Sequence, residues 1–378
     1  MGLCAERLGA TIVRFTMPRK SPWRLPLFLF AVSLLAPVRA LARPQSNFTY
    51  GPLPVFELHS GFWINLHHTL YHEARLRTAT AGSPDKSGKT SGPTLNTAPG
   101  AKPSLSPAEQ RIWDDTVAYY AANYAAKDLL FSSELVQLKD QLGDFEDCDE
   151  LSGRKRKFCD AGLPAKLTQV LEAAAPVYRA HLWPDHDRAN RRWIMRVAPL
   201  VREQGVGLSE RLADIYQTRW PREKIRVDLS GYANWTGAYT TADPLRVTIS
   251  SLDSRNQGAA ALEVLFHEGS HGIAEPVQAA IIRQCRQRDK AIPRDLWHAL
   301  VFYTTGEVIR PVIGSAGATA GDQDGSVPGG GYTPYALREG LYQRGWNDYF
   351  KLLQKFWQPY LDGTASFDDA IARMVSSL

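Results

Sequence analysis

Long hydrophobic runs are almost missing from this chain. The one extended apolar stretch, LPLFLFAVSLLAPV at 25–38, is shorter than the ~20 residues of a membrane-spanning helix and carries Pro26 and Pro37 near its ends. Cysteine is scarce too. Only Cys148, Cys159 and Cys285 follow residue 42, which excludes a disulfide-dense scaffold. A surplus of charge is also lacking in the body of the chain. The net +5 comes from 1–42, where six basic residues meet one acid, and the remainder balances at 38 of each sign. With no basic stripe interleaved with aromatics, nucleic acid is excluded as a partner. Finally, 78–107 holds no aromatic residue and is rich in Thr, Ser, Gly, Pro and Ala, so it cannot bury enough apolar surface to offset its ordering entropy.

The residues that are present divide the chain. Arg19, Lys20 and Arg24 precede the apolar run, and Ala40-Leu41-Ala42 is a small-residue cleavage pattern. Residues 1–42 therefore read as a signal peptide, with Met17 giving a more usual start. The expected product is exported to the periplasm or beyond and keeps no membrane anchor. In an oxidising compartment, Cys148 and Cys159 flank a short charged loop and are expected to form a local disulfide, whereas Cys285 is expected to be buried and free. Residues 43–77 read as an N-terminal helical segment, with Phe62, Trp63, Leu66, Leu70 and Tyr71 at helical spacing, and its apolar face must dock on the main body. A loop or linker at 78–107 and a helical region at 108–224 follow, the latter with runs at Val117–Leu138, Ala165–Tyr178 and Ala189–Gln204. From 225 the character changes: IRVDL and RVTIS, separated by GYANWTGAYTTADP, predict a small sheet, and helices resume at Gly258. The glycine-rich stretch Ser315–Pro334 interrupts them.

The chemistry concentrates in GAAALEVLFHEGSHGI. Leu262, Leu265, Phe266 and Ile273 make an apolar stripe, and Gly269 on that stripe permits close approach of a neighbour. His267 and His271, four apart, project from one face and can reach one metal ion. Glu268 is rotated ~100° from the first histidine, which sets its carboxylate beside the metal, where it can accept a proton from water. An unexplained His-Glu-His cluster on so apolar a helix would bury costly polar groups, so zinc is the expected cofactor. A second His pair, His68 and His72, lacks a Glu after its first member and sits among aromatics, which favours packing.

This segment resembles the HExxH zincin metallopeptidases at His267, Glu268 and His271. The resemblance spans about 225–310. It implies that the two histidines bind zinc, that Glu268 is the general base, and that a strand before the helix forms the edge along which an extended substrate lies; Arg246–Ser250 is similar in place and character. A catalytic zinc site needs a third protein ligand. Glu275 lies ~12 Å along the helix axis from His267 and is out of reach. No metzincin histidine follows. In the gluzincin branch the third ligand is a glutamate on a later helix, and Glu307 in PRDLWHALVFYTTGEVIRP looks like it, with Thr304, Thr305 and Arg310 near enough to steady it. His298 competes, but nine steps of ~100° set it on the opposite helix face from Glu307, so the two cannot share one ion. Tyr239, Tyr332 and Tyr335 are the candidates for stabilising an oxyanion.

The expected fold is α+β and mostly helical, with a zincin-like catalytic unit at 225–378. The expected activity is that of an exported zinc metallopeptidase acting on a peptide or protein substrate. A zinc amidase on a non-peptide substrate would use the same residues, and a non-catalytic exported binding protein would keep the fold but have no need of Glu268.

Overall fold

The computed structural model describes residues 53–81, 104–315, 326–327 and 331–378; the signal-peptide reading and most of the 78–107 linker lie outside them. The chain is mostly helical, with a four-stranded mixed sheet at its centre. Strands β1 (Phe56–His59), β2 (Ile225–Ser230) and β4 (Leu245–Ser250) run parallel, and β3 (Ala238–Ala242) closes one edge antiparallel to β4, giving the order β1-β2-β4-β3. Helices α1 (Phe62–Ala81), α2 (Pro107–Asn123), α3 (Ser133–Asp144), α4 (Ala165–His181) and α5 (Trp183–Ile215) precede β2. Helices α6 (Gly258–Ser270), α7 (Glu275–Gln287) and α8 (Leu296–Ser315) follow the sheet. A two-residue ribbon, β5 (Ser326–Val327) with β6 (Gly331–Tyr332), leads to the short helices α9 (Tyr335–Arg338), α10 (Asn347–Leu352) and α11 (Gln358–Leu361) and to α12 (Phe367–Ser376).

Strand periodicity explains the layering. Ile225, Val227, Leu229, Val247 and Ile249 point to one face and join a core with α5, α6 and α8. The other face is polar yet covered: Arg226 pairs with Asp228 and Glu146, Arg246 with Asp144, and the buried Lys139 Nζ sits 2.7 Å from Thr241 Oγ1 and 3.2 Å from Asp140. Around α1–α4 a second core forms from Trp63, Leu66, Tyr71, Trp113, Tyr120, Leu171 and Tyr178.

Several expectations change in detail. Within 43–77, expected to be helical, the described residues hold a strand ahead of α1: β1, whose Phe56 pairs in register with Ile225. Four residues are too few to carry a strand period, and only the far partner makes them a strand. The run Val117–Leu138 is broken at Asn123, and a turn separates α2 from α3. The linker is trimmed from both sides. Helix α1 continues to Ala81, and Ser106 caps α2, its hydroxyl accepting from Glu109 N–H while Glu109 Oε2 accepts from Ser106 N–H. Among the described residues no helix is long and apolar enough to cross a membrane.

Cys148 and Cys159 are bonded, and Cys285 is buried and free. The bridge closes a loop of 11 residues in sequence separation, pinned by an indole N–H from Trp63 to the Cys148 carbonyl at 2.7 Å. Replacing both cysteines with Ser should lower stability by ~2–3 kcal/mol in denaturant unfolding. An unchanged midpoint would show that the loop is held by its other contacts alone.

Candidate metal centre

Helix α6 reaches the site because its N-terminal turns are apolar and its flank is bare at one place. A side chain at Gly269 would lie 2.9 Å from the Trp220 ring and 3.2 Å from Phe56, so glycine is what allows both rings to press on the helix. Phe56 also meets Phe266 edge-on, with centroids 5.2 Å apart. The helix stops at Ser270, leaving His271 at its C-terminal cap. His267 and Glu268 are buried, and His271 is half-buried.

Three imidazoles converge there. His267 Nε2 lies 3.3 Å from His271 Nε2 and 3.3 Å from His298 Nε2, the latter from the first turn of α8. All three ligating atoms lie within 4.8 Å of one another. One ring nitrogen carries either one proton or one lone pair, so His267 Nε2 cannot satisfy both neighbours by hydrogen bonding. A tetrahedral cation with bonds of ~2.0–2.1 Å holds its ligand nitrogens ~3.3 Å apart. The donor set and spacing therefore fit a metal ion. Burial holds all three rings neutral, as ligation requires: His267 lies well below its ordinary value, His271 is lowered to about 3 and His298 to about 4, with mutual repulsion adding to the effect at His267 and His271.

Glu268 stands beside this point without joining it, its Oε2 4.0 Å from His271 Nε2. Burial pushes its carboxyl up to about 7. The Thr240 hydroxyl donates to it from β3, with its oxygen 2.6 Å from Oε2 and 2.9 Å from the Glu268 carbonyl oxygen. The strand carrying Thr240 is the edge of the sheet. Arg246–Ser250, expected at the edge, is an interior strand between β2 and β3. Ser250 N–H donates to the Gly237 carbonyl, so by antiparallel alternation the main-chain groups of Thr240 face away from β4, towards the open side.

Glu307, the third ligand that the resemblance implied, does not join the two histidines. Glu307 sits on the far side of α8, paired with Arg310 at 2.5 Å, and His298 takes the inward place. Thr304 and Thr305 do not steady Glu307. The Thr304 hydroxyl donates to the Leu300 carbonyl and accepts from the Trp357 indole, and Thr305 is buried beside Tyr216. Nor do the three tyrosines turn to the point where the imidazoles meet. Tyr239 OH is 2.9 Å from His68 Nε2, Tyr332 OH donates to Glu263, and Tyr335 stacks on Phe302. His68 and His72 lie in aromatic packing, His68 against Tyr239 and His72 over Tyr232. A surface concavity of about 490 Å³ on the outer face of α7, lined in part by Glu275, Gln278 and Arg283, gathers no metal-ligating cluster.

Sequence reasoning passed over Glu263. One turn before His267 on α6, it is buried and fixes the end of the glycine-rich stretch and the residue that opens α9: Tyr332 OH donates to Oε2 at 2.6 Å and Tyr335 N–H at 2.9 Å. Gly306 on α8 makes room, since a side chain there would meet Pro334 at 2.6 Å. A charged residue inside the apolar stretch AAALEVLF was the available signal.

No family model matches the chain, and no curated protein or solved structure matches it.

Burial raises Glu263 from 4.5 to about 7, so the folded chain keeps this proton where the unfolded chain has lost it. The resulting stability is full below the unfolded value and is lost as pH rises through about 7, on the order of 3 kcal/mol in total. Glu263→Gln keeps the neutral shape and both accepted bonds. Its melting temperature should fall less than that of wild type between about pH 5 and pH 8. An undiminished slope in the variant would clear Glu263 as its source.

Proposed function

We propose that the protein is an exported, zinc-dependent hydrolase that cleaves peptide bonds, with His267, His271 and His298 as ligands and Glu268 as general base. The observation that carries this reading is the pair of 3.3 Å Nε2 separations with an unligated, buried carboxylate next to them. The zincin resemblance of HEGSH supports it, with a histidine standing where a gluzincin has its glutamate. Zinc in such a site polarises a carbonyl and makes water a nucleophile near neutral pH. Neutral imidazoles supply three ligands and leave a fourth position for substrate or water. Glu268 takes a proton from the attacking water and passes it to the departing amine. Thr240 fixes the carboxylate for that exchange. Its outward main-chain groups on β3 offer an extended substrate a strand to pair with, which is the physical reason to favour a peptide. The Cys148–Cys159 bond agrees with an oxidising destination.

His298→Ala should lose stoichiometric zinc by elemental analysis, while Glu307→Ala keeps it. The reverse pattern would reinstate Glu307 and remove the three-histidine assignment. Glu268→Gln should retain zinc and fold yet lower turnover by ~10²–10⁴, the range for loss of a general base. Activity near that of wild type would place the catalytic centre elsewhere.

A further inference from the structure

Three half-buried aromatic rings crowd the point where the imidazoles meet. Trp297 lies edge-on to His271 at 5.5 Å and stacks on His298 at 5.1 Å. Phe302, one turn further along α8, stacks on His267 at 3.7 Å. Trp346 comes from a different part of the chain and meets His298 at 5.5 Å and Phe302 at 5.9 Å. It ends a π-helical turn, Tyr342–Trp346, between α9 and α10. Such turns are rare and occur mostly at functional sites, and here the wider turn ends on an indole beside the histidines.

Shielding three imidazoles does not call for two indoles and a phenyl that stay partly in water. An indole left half-exposed forgoes part of the stabilisation its full burial would give, and that part returns when a ligand covers it. The walls are apolar and polarisable. Their ring partners are imidazoles, one another and two tyrosines, Tyr335 against Phe302 and Tyr342 against Trp346. Apolar walls beside a few convergent polar groups are the usual make-up of a small-ligand pocket. We propose that Trp297, Phe302 and Trp346 wall a subsite next to the three imidazoles that takes a large apolar side chain, aromatic or branched aliphatic, from the substrate. The inference rests on the peptide-hydrolase reading for the word substrate, and on ring placement alone for the apolar class.

Calorimetric titration of the zinc-loaded full chain with phenylalanine hydroxamate and with glycine hydroxamate tests the subsite without turnover. Wild type should bind the phenylalanine compound at least ~10-fold more tightly, as expected for burying one aromatic side chain. Trp346→Ala should erase most of that margin while keeping zinc and the glycine hydroxamate affinity, and Trp346→Phe should restore part of it. Trp297→Ala, on a separate element, should reduce the margin independently. Equal affinities in wild type, no binding of either compound, or a margin that survives in both alanine variants overturns the proposal. So does tighter binding of gluconohydroxamate than of the phenylalanine compound, which would give the wall to a sugar. A chain that keeps the margin but cleaves no peptide retains the subsite and loses the peptidase reading. Peptide cleavage without the margin does the opposite.

Discussion

Two helices must bring three neutral imidazoles to one point, and much of the surrounding architecture is arranged by that demand. Neutral rings at this spacing cannot all find proton partners in each other, and burial forbids charging them to repel or pair. Helices α6 and α8 must therefore be held in a fixed phase and separation by contacts that owe nothing to the rings. Gly269 lets Trp220 and Phe56 clamp α6 from one side. Gly306 lets Pro334 close on α8, while Glu263 ties the same strap to α6. The site is thus supported by close backbone approach at two glycines and by one buried carboxyl.

The sheet separates two kinds of environment. On the side of α6 it is aliphatic, and on the side of α1 and α3 it is a paired polar layer around Arg226, Asp228, Lys139 and Arg246. Alternation along β3 carries both at once, with Tyr239 and Thr241 serving the polar layer and Thr240 serving Glu268. Edge strand and the Glu268 carboxylate are thereby joined through one hydroxyl.

What could be read in advance followed period and local chemistry. The helices from Ala165 onward, the strands at 225 and 245, the Cys148–Cys159 pair, and the shared face of His267 and His271 all depend on neighbours within one or two turns or a short loop. Helical phase also made His298 and Glu307 mutually exclusive. Which of them faces inward depends on how α8 rolls against α6, and that is decided by Gly306, Pro334 and the core, far from either residue. Strand β1 was illegible for a related reason, since FELH has no strand signal without β2 beside it. Trp346 owes its place to an irregular turn that no period announces.

Strand β1 has a consequence for how the molecule comes into being. Its partner, β2, begins at Ile225, so the sheet's outer strand waits for most of the chain before it can pair. The ring cluster of Phe56, Trp220 and Phe266 that steadies α6 waits with it. Loop closure over such a span is costly before any contact rewards it, and the order of assembly follows. The helices around Trp63 and Tyr178 can collapse early on local contacts, while the histidine centre is completed late, when the two ends of the chain's fold meet. A nascent chain would therefore carry a formed helical half and an unformed histidine centre until the last strand is seated.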